Sequence, residues 1–213
     1  MHTTATMKRI LVDLGASWVL LALFAALVVA IGVYVERVVA LRARSGSVRE
    51  LMASLDAHLA KRDHAAAIES LRSRASTSAD VARAGLRLAS RGPKSATHAM
   101  ESAIAASRKE LESRLAILST IGTNAPFVGL FGTVIGIVVA FDVLGHGRAT
   151  GTAAAAVMGG ISEALVATAV GIGVALPAIV MHNHLQRWVT SLLDDAETVS
   201  RLVVAYLVAD EET

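Results

Sequence analysis

Residues 153–181 constrain this chain more than any other part of its sequence, because only one of these 29 residues, Glu163, is ionisable. A helix of that length is about 44 Å long, which exceeds the ~30 Å hydrocarbon layer of a bilayer. A carboxyl group inside a membrane span is costly and normally faces a bundle interior or a water-filled path. The segment therefore predicts a transmembrane helix with Glu163 as a candidate functional residue. The alternative is that Glu163 is a buried structural group, protonated or hydrogen-bonded, with no other role.

Small residues in the same segment predict close packing against a neighbouring helix, because they let two backbones approach each other. Pro177, near the end of the segment, is expected to bend the helix. The composition agrees with a membrane protein, since 54% of the residues are hydrophobic and only 18% are charged. The small residues of this segment are Gly159, Gly160, Ala164, Ala167, Gly171 and Ala175.

Two further uncharged segments predict two more spans, at residues 14–35 and 116–141. The first follows Lys8 and Arg9, so a cleaved signal peptide is the alternative interpretation. We disfavour it because the apolar run is longer than a typical signal-peptide core and no clear cleavage site follows. The chain is therefore predicted to be an all-α membrane protein with three transmembrane helices.

The second span carries one stripe of small residues and one hydroxyl. At about 100° per residue, all members of the stripe lie within about 60° of Thr133. The Thr133 hydroxyl has either a functional role or a bond to a carbonyl one turn earlier, and the spacing alone favours neither. The stripe consists of Gly122, Pro126, Gly129, Thr133 and Gly136.

Between the first two spans the chain becomes charged, and 15 of its 20 Lys and Arg residues lie between positions 37 and 114. Short helices are predicted with Ser47, Asp63 and Ser78 as their N-terminal caps. Gly92 and Pro93 form a stop signal. After them, an apolar periodicity from Met100 to Leu118 predicts one long helix that starts near Ser95 and continues into the second span.

The charge distribution predicts the topology. The basic segment belongs in the cytoplasm by the positive-inside rule, although Lys8 and Arg9 weakly favour the opposite orientation. Since acidic residues are interspersed among the basic ones, we interpret the charge as marking the cytoplasmic side and not as a nucleic-acid site. The predicted segments are 1–13 (periplasmic), 14–35 (first span), 36–115 (cytoplasmic, helical), 116–141 (second span), 142–151 (periplasmic loop), 152–182 (third span) and 183–213 (cytoplasmic helix with an acidic tail).

Enzymatic and metal-dependent functions have no support in the sequence. The chain has no Cys, and it contains no phosphate-binding loop or nucleophile elbow. His182 and His184 are two residues apart, so they point to different faces of a helix and do not predict a metal site. His146, in the predicted loop, is interpreted as a solvated residue. We expect no cofactor and no enzymatic activity.

Two long motifs resemble one known family. Residues 125–136, APFVGLFGTVIG, followed by Phe141, look like the second transmembrane helix of the ExbB/TolQ/MotA proton-channel family. Residues 160–168, GISEALVAT, followed by ALPA at 175–178 and Asn183, look like its third helix. The pair Glu36-Arg37 after the first span also fits. The acidic residue in the third-helix motif places the resemblance nearer to ExbB and TolQ than to MotA.

The resemblance implies a cyclic homo-oligomer, commonly a pentamer, in a bacterial inner membrane, with the second and third helices around a central channel. A single-span ExbD- or TolR-like partner would occupy that channel, and proton flow would drive a TonB- or TolA-like protein spanning the periplasm. Membrane lipids would surround the ring.

By motif match, Thr133, Glu163 and Thr168 correspond to the family's channel residues. On an ideal helix, however, Thr168 lies about 140° from Glu163. A different hypothesis is a structural ring that only holds proton-carrying partner helices. The residues expected to pack helices together are Gly122, Pro126, Gly129, Gly136, Gly160 and Gly171.

Overall fold

The computed structural model describes residues 17–145 and 151–211, and within these ranges every regular element is helical. Three apolar stretches long enough to cross a membrane lie within Trp18–Leu59, Leu115–Asp142 and Val157–Glu211. The predicted all-α membrane class is thereby confirmed. The elements are α1 (Ser17–Arg44), α2 (Val48–Leu59), α3 (His64–Arg72), α4 (Thr77–Leu86), a 3-10 turn (Ala89–Arg91), α5 (Pro93–Leu111), α6 (Leu115–Gly145) and α7 (Gly151–Glu211).

The chain divides into two compact units. The first, called here the apolar unit, consists of Met1–Tyr34 and Leu115–Asn183. The second, called the polar unit, consists of Val35–Arg114 and His184–Thr213. The apolar unit therefore contains the start of α1, all of α6 and the first half of α7, and the polar unit contains α2 to α5 with the second half of α7.

The polar unit has its own hydrophobic core. Helices α2 to α5 each place leucine, alanine or methionine side chains in it, and the second half of α7 adds residues at helical spacing. This burial explains why short helices with weak individual propensity are stable here, since most helix stability in proteins comes from packing an apolar face. Fully buried members include Leu55, Leu71, Val81, Met100, Val199 and Val203.

Local caps set the helix boundaries of the polar unit. Ser47 Oγ accepts from the Glu50 amide at 3.4 Å, and Asp63 Oδ1 accepts from the Ala66 amide at 2.8 Å, so both predicted caps are confirmed. The third prediction, Ser78, is wrong. Ser76 is the cap, because it has an extended backbone and its Oγ accepts from the Ala79 amide at 3.3 Å.

The predicted long helix from Ser95 into the second span is also wrong. Gly92, at a φ of 92°, ends the preceding turn, and Pro93 begins α5, as the stop signal indicated. Helix α5 then ends at Leu111, and α6 begins at Leu115. Between them Arg114 has a φ of 65°, a left-handed conformation that interrupts an α-helix.

Polar contacts attach the second half of α7 to α2, to the α2–α3 connection and to the first residue of α3. Tyr206 donates its hydroxyl proton to an Asp56 carboxylate oxygen. Asp210 lies 2.9 Å from Arg62 Nε and 3.4 Å from His64 Nε2. These contacts fix the end of α7 beside the polar unit's core.

The structure differs in part from the predicted loop at 142–151, because both ends of that segment are helical. Residues 142–145 belong to α6, and α7 starts at Gly151. His146 and the predicted segment 1–13 lie outside the described residues. Pro126 and Pro177 lie inside α6 and α7, which continue through them without a break.

Candidate functional site

Helices α6 and α7 make direct backbone contact within the apolar unit. A Cβ atom built on Gly129 would lie 2.7 Å from the carbonyl oxygen of Ala167 and 3.1 Å from the Cα atoms of Thr168 and Gly171. A Cβ on Gly171 would lie 2.7 Å from the carbonyl oxygen of Ala125 and 3.0 Å from Gly129 Cα. Real Cβ atoms do not approach this closely, so both positions require glycine at the present helix separation.

The contact extends along both helices in antiparallel order. Gly122 faces Ile179, whose Cγ1 would be 2.6 Å from an added Cβ, and Gly136 faces the Cβ of Ala164 at the same distance. Gly160 is looser, since an added Cβ would lie 3.4 Å from Ala140 Cβ. The small-residue stripe of α6 thus lies against α7 of the same chain.

Gly132 is a contact residue that the sequence reasoning did not single out. A Cβ there would lie 2.8 Å from Ala167 Cβ and 3.1 Å from Val19 Cγ1, so α1, α6 and α7 meet at this residue. The ring of Trp18 makes an edge-to-face contact with Phe131, with centroids 6.2 Å apart. The sequence signal for Gly132 is its position three residues after Gly129, which places it beside the stripe of small residues on α6.

Thr133 is buried, with 8% of its surface exposed, and its Oγ1 donates to the carbonyl oxygen of Leu130 at 2.6 Å. This is the back-bonded geometry that the sequence left as one of two alternatives. The bond is local to α6, so rotation about the side chain's first torsion would release the hydroxyl for another partner.

Thr168 differs from Thr133. Its Oγ1 is buried and has no hydrogen-bond partner in the part of the chain that the structure describes. A buried hydroxyl without a partner costs about 1–3 kcal/mol. Since α6 packs on this turn of α7 through Gly129, close packing alone does not account for a polar residue at this position.

Glu163 lies on an exposed face of α7. The adjacent Ala164 and the more distant Ala167 are buried against α6, whereas Val166, on the side of Glu163, is 49% exposed. Gly159 and Gly173 lie near this exposed face, and a Cβ added to either would meet nothing within 4 Å. The structure therefore places Thr133 and Thr168 in the α6–α7 contact and Glu163 outside it, in keeping with the 140° separation on an ideal helix.

The two histidines near the end of the third span do not assemble a ligand set. His182 Nδ1 donates to the carbonyl oxygen of Leu115 at 3.2 Å. The described residues contain no group of three or more His, Cys, Asp or Glu side chains that could hold a metal ion.

The fold and this contact define a class of protein: a multi-span helical membrane protein with a carboxyl on one face of a transmembrane helix. The model of the MotA/TolQ/ExbB proton channel family matches residues 73–198, which is more than half of the 213 residues. The chain belongs to this family.

Relatives with the names ExbB and TolQ confirm the predicted resemblance to that branch of the family. The chain is 47% identical over 88 residues to a biopolymer transport protein ExbB of Pseudomonas putida, covering 41% of this chain and 26% of the relative. It is 43% identical over 91 residues to ExbB of Aquifex aeolicus, covering 43% of this chain and 60% of the relative. It is 46% identical over 88 residues to the Tol-Pal system protein TolQ of Pseudomonas aeruginosa, covering 40% of this chain and 36% of the relative. In each case the matched region spans less than two thirds of the relative.

Proposed function

We propose that this chain is the proton-channel subunit of an energy-transducing complex in a bacterial inner membrane, and that it acts without an enzymatic reaction of its own. In this proposal the proton motive force moves a single-span partner of the ExbD or TolR kind. The partner in turn drives a TonB- or TolA-like protein that works at the outer membrane. Membership of a proton channel family and the similarity to proteins named ExbB and TolQ support this function.

The observation that carries the proposal is the position of Glu163 on a face of α7 that α6 does not cover. A carboxyl that faces lipid inside a membrane span costs about 2.5–3.5 kcal/mol on insertion scales. We infer that another helix or a water-filled path covers this face in the assembled complex. The open space at Gly159 and Gly173 supports a helix there, because small residues permit close approach.

A cyclic homo-oligomer, which we propose to be a pentamer, would provide that environment. The Glu163 faces of neighbouring copies would surround a central channel, and the partner's single helix would occupy it. Packing of α6 on α7 through Gly129 and Gly171 lies within one chain, so this contact would hold each channel wall together.

In this arrangement Glu163 would exchange protons with the path, and the two threonines would assist. Thr168 has a buried hydroxyl that is available to a water molecule or a neighbouring group. Thr133 would join when its hydroxyl leaves the Leu130 carbonyl. One elementary charge that crosses 100 mV releases about 2.3 kcal/mol, so several protons are needed for substantial mechanical work.

We further propose that the N-terminus is periplasmic and the C-terminus cytoplasmic. The basic residues between positions 37 and 114 support this orientation through the positive-inside rule, and the apolar faces of the three spans would contact lipid.

The test replaces Glu163 on the chromosome of the host with Gln or Asp. Glutamine keeps the size and most of the hydrogen-bonding capacity of glutamate but does not titrate. We expect Glu163→Gln to assemble normally and to abolish proton-driven activity, and Glu163→Asp to be intermediate. Glu197→Gln, at a half-buried position in the polar-unit part of the same helix, is the matched control and should retain activity.

Two activities are measured at matched expression, both with and without a protonophore. One is energised uptake across the outer membrane, which reports on a TonB-type role. The other is envelope integrity, measured as leakage of a periplasmic enzyme, which reports on a TolA-type role. Wild-type behaviour of Glu163→Gln in both assays would contradict the proposal and favour a structural ring that only holds a proton-carrying partner.

A further inference from the structure

Arg37 is a buried arginine in the polar unit, on α1 just beyond the predicted end of the first span. Only 8% of its surface is exposed. Its Nη1 donates to the carbonyl oxygens of Glu110 and Ser113, at 3.2 and 3.0 Å, and to Ser113 Oγ at 3.2 Å. One guanidinium nitrogen therefore contacts three acceptors at the connection between α5 and α6.

Two of these acceptors are main-chain carbonyls, one in the last turn of α5 and one in the connection after it, and the Glu110 carbonyl also accepts from the Ser113 amide at 3.3 Å. The last carbonyls of any α-helix have no intrahelical donor, and many helices satisfy them with a glycine in the left-handed conformation. Here no glycine follows α5. Arg114 itself has the left-handed conformation, at a φ of 65°, which is uncommon for a residue with a side chain. The Arg37 guanidinium, on another helix of the same chain, thus supplies charged donors to the carbonyls at this break in the helix.

Other polar contacts attach the same part of α1 to the same connection. Glu36 pairs with Arg114, and one Glu36 oxygen lies 3.9 Å from Arg37 Nη2. Arg44 Nη2 lies 2.7 Å from a Glu110 carboxylate oxygen. Glu110 is therefore held through its carbonyl by Arg37 and through its carboxylate by Arg44, which lies two helical turns further along α1.

The arrangement is not one that stability alone would select. Arg37 Nε is buried and has no hydrogen-bond partner within residues 17–145 and 151–211. A buried charge whose hydrogen bonds are incomplete has a desolvation cost that often exceeds its Coulombic gain, so an apolar side chain is frequently at least as stable. What an apolar residue does not provide is a side-chain donor to the Glu110 and Ser113 carbonyls at this connection.

We propose that Arg37 is a positioning residue that fixes the residue at which α6 begins, and that the proton-driven activity depends on it. Leu115, the first residue of α6, follows Arg114 directly. If the helix break moved by one residue, every later residue of α6 would turn by about 100° about the helix axis. That rotation would remove Gly129 from its contact with Gly171. The dependence of the proton-driven activity on Arg37 rests on the proposed function, whereas the positioning role of Arg37 does not.

The experiment uses the full-length oligomer purified in detergent and compares three variants with the wild type. Arg37→Met removes the charge and the donors, and Arg37→Lys keeps the charge but lacks the planar set of donors. Arg72→Met is the matched control, since Arg72 forms an exposed pair with Glu69 in the same unit. Hydrogen–deuterium exchange is measured on peptides that cover residues 108–118, and proton-driven activity is measured in the host.

We expect both Arg37 variants to assemble and to show faster exchange confined to those peptides, by about ten- to a hundredfold for Arg37→Met. This corresponds to the loss of hydrogen bonds to a charged group. Activity should fall in the same order, with Arg37→Lys between the wild type and Arg37→Met. The control should match the wild type in both measurements.

Unchanged exchange at residues 108–118 would overturn the positioning role, whatever the activity. Faster exchange with full activity would overturn the link to function. Unfolding of both Arg37 variants would also overturn the proposal, because Arg37 would then be required for folding as such. If the wild type itself had no proton-driven activity, the proposed function would fail while the exchange measurement still decided the positioning role.

Discussion

The α6–α7 contact makes a quantitative prediction for Gly129→Ala. The new Cβ would lie 2.7 Å from the Ala167 carbonyl oxygen, about 0.7 Å short of the 3.4 Å at which ordinary contact begins. The Thr168 and Gly171 neighbours are also backbone atoms, at 3.1 Å, so no side-chain rotation relieves the overlap. The two helices must separate. A gap of about 0.5–1 Å forfeits a quarter to a half of the dispersion energy of each affected contact.

We expect Gly129→Ala to lower the free energy of unfolding by about 1–3 kcal/mol, the usual cost of overpacking. Gly32→Ala, in α1 of the same unit, is the control, because an added Cβ there meets nothing within 4 Å. It should be neutral or stabilising by up to about 1 kcal/mol through helix propensity. Gly85→Ala in the polar unit should cost less than Gly129→Ala, since its Cβ would meet the flexible side chain of Met100.

Unfolding of the detergent-purified variants by heat or denaturant measures these differences. The double variant Gly129→Ala with Gly171→Ala should cost less than the sum of the single variants, because both residues occupy the same contact. Equal stability of Gly129→Ala and Gly32→Ala would refute the backbone contact as described.

Two further predictions concern the topology and the polar unit. The chain has no native Cys, so single cysteines can report on the topology. Gly147→Cys, outside the described residues, should react with an impermeant thiol reagent in spheroplasts that retain an intact inner membrane. Ser73→Cys should react only after that membrane is permeabilised, and the reverse pattern would contradict the orientation. Burial raises the pKa of Asp195 above its usual range, and the charge of Asp194 raises it further. The ionised form then destabilises the folded state above that pKa and ceases to do so as the pH falls through it. Asp195→Asn should therefore raise the free energy of unfolding at pH 7. The gain should be at most about 0.5 kcal/mol, because the group is largely solvated. The same gain in the free energy of unfolding at pH 3 would contradict this explanation.

Membrane class and most local boundaries could be predicted from the sequence, because both depend on short-range chemistry. The apolar runs identified the three long helices, and Ser47 and Asp63 cap their helices as predicted. Ser76 was missed in favour of Ser78 because both are hydroxyl residues within one turn of the same helix start. Only the backbone conformation separates them.

The break between α5 and α6 could not be read from the sequence. The apolar periodicity runs across it without interruption, and the left-handed residue is Arg114, where a glycine or asparagine would have given a local signal. The cause is a tertiary contact, since the donors come from Arg37 on another helix. Periodicity reports which face of a segment is apolar, and it does not report whether the helix is continuous.

For the candidate site, helical geometry predicted the separation of residues but not their surroundings. An angle of about 140° already placed Glu163 and Thr168 on different faces. Which face packs on α6 depends on the antiparallel pairing of Gly129 with Gly171, a contact between residues 42 positions apart in the sequence. Likewise, spacing could not show whether the Thr133 hydroxyl bonds to its own helix, as it does to Leu130.

Proton flux through the complex, purified from its host with its partner and reconstituted in liposomes, tests the central claim most directly. A potential is imposed across the liposome membrane, and the internal pH is followed with a trapped dye. We predict a flux for the wild type that Glu163→Gln abolishes, with the ring and its partner still assembled and with Glu197→Gln unaffected. A Glu163→Gln complex that conducts protons at the wild-type rate would contradict the claim that this carboxyl lies on the proton path.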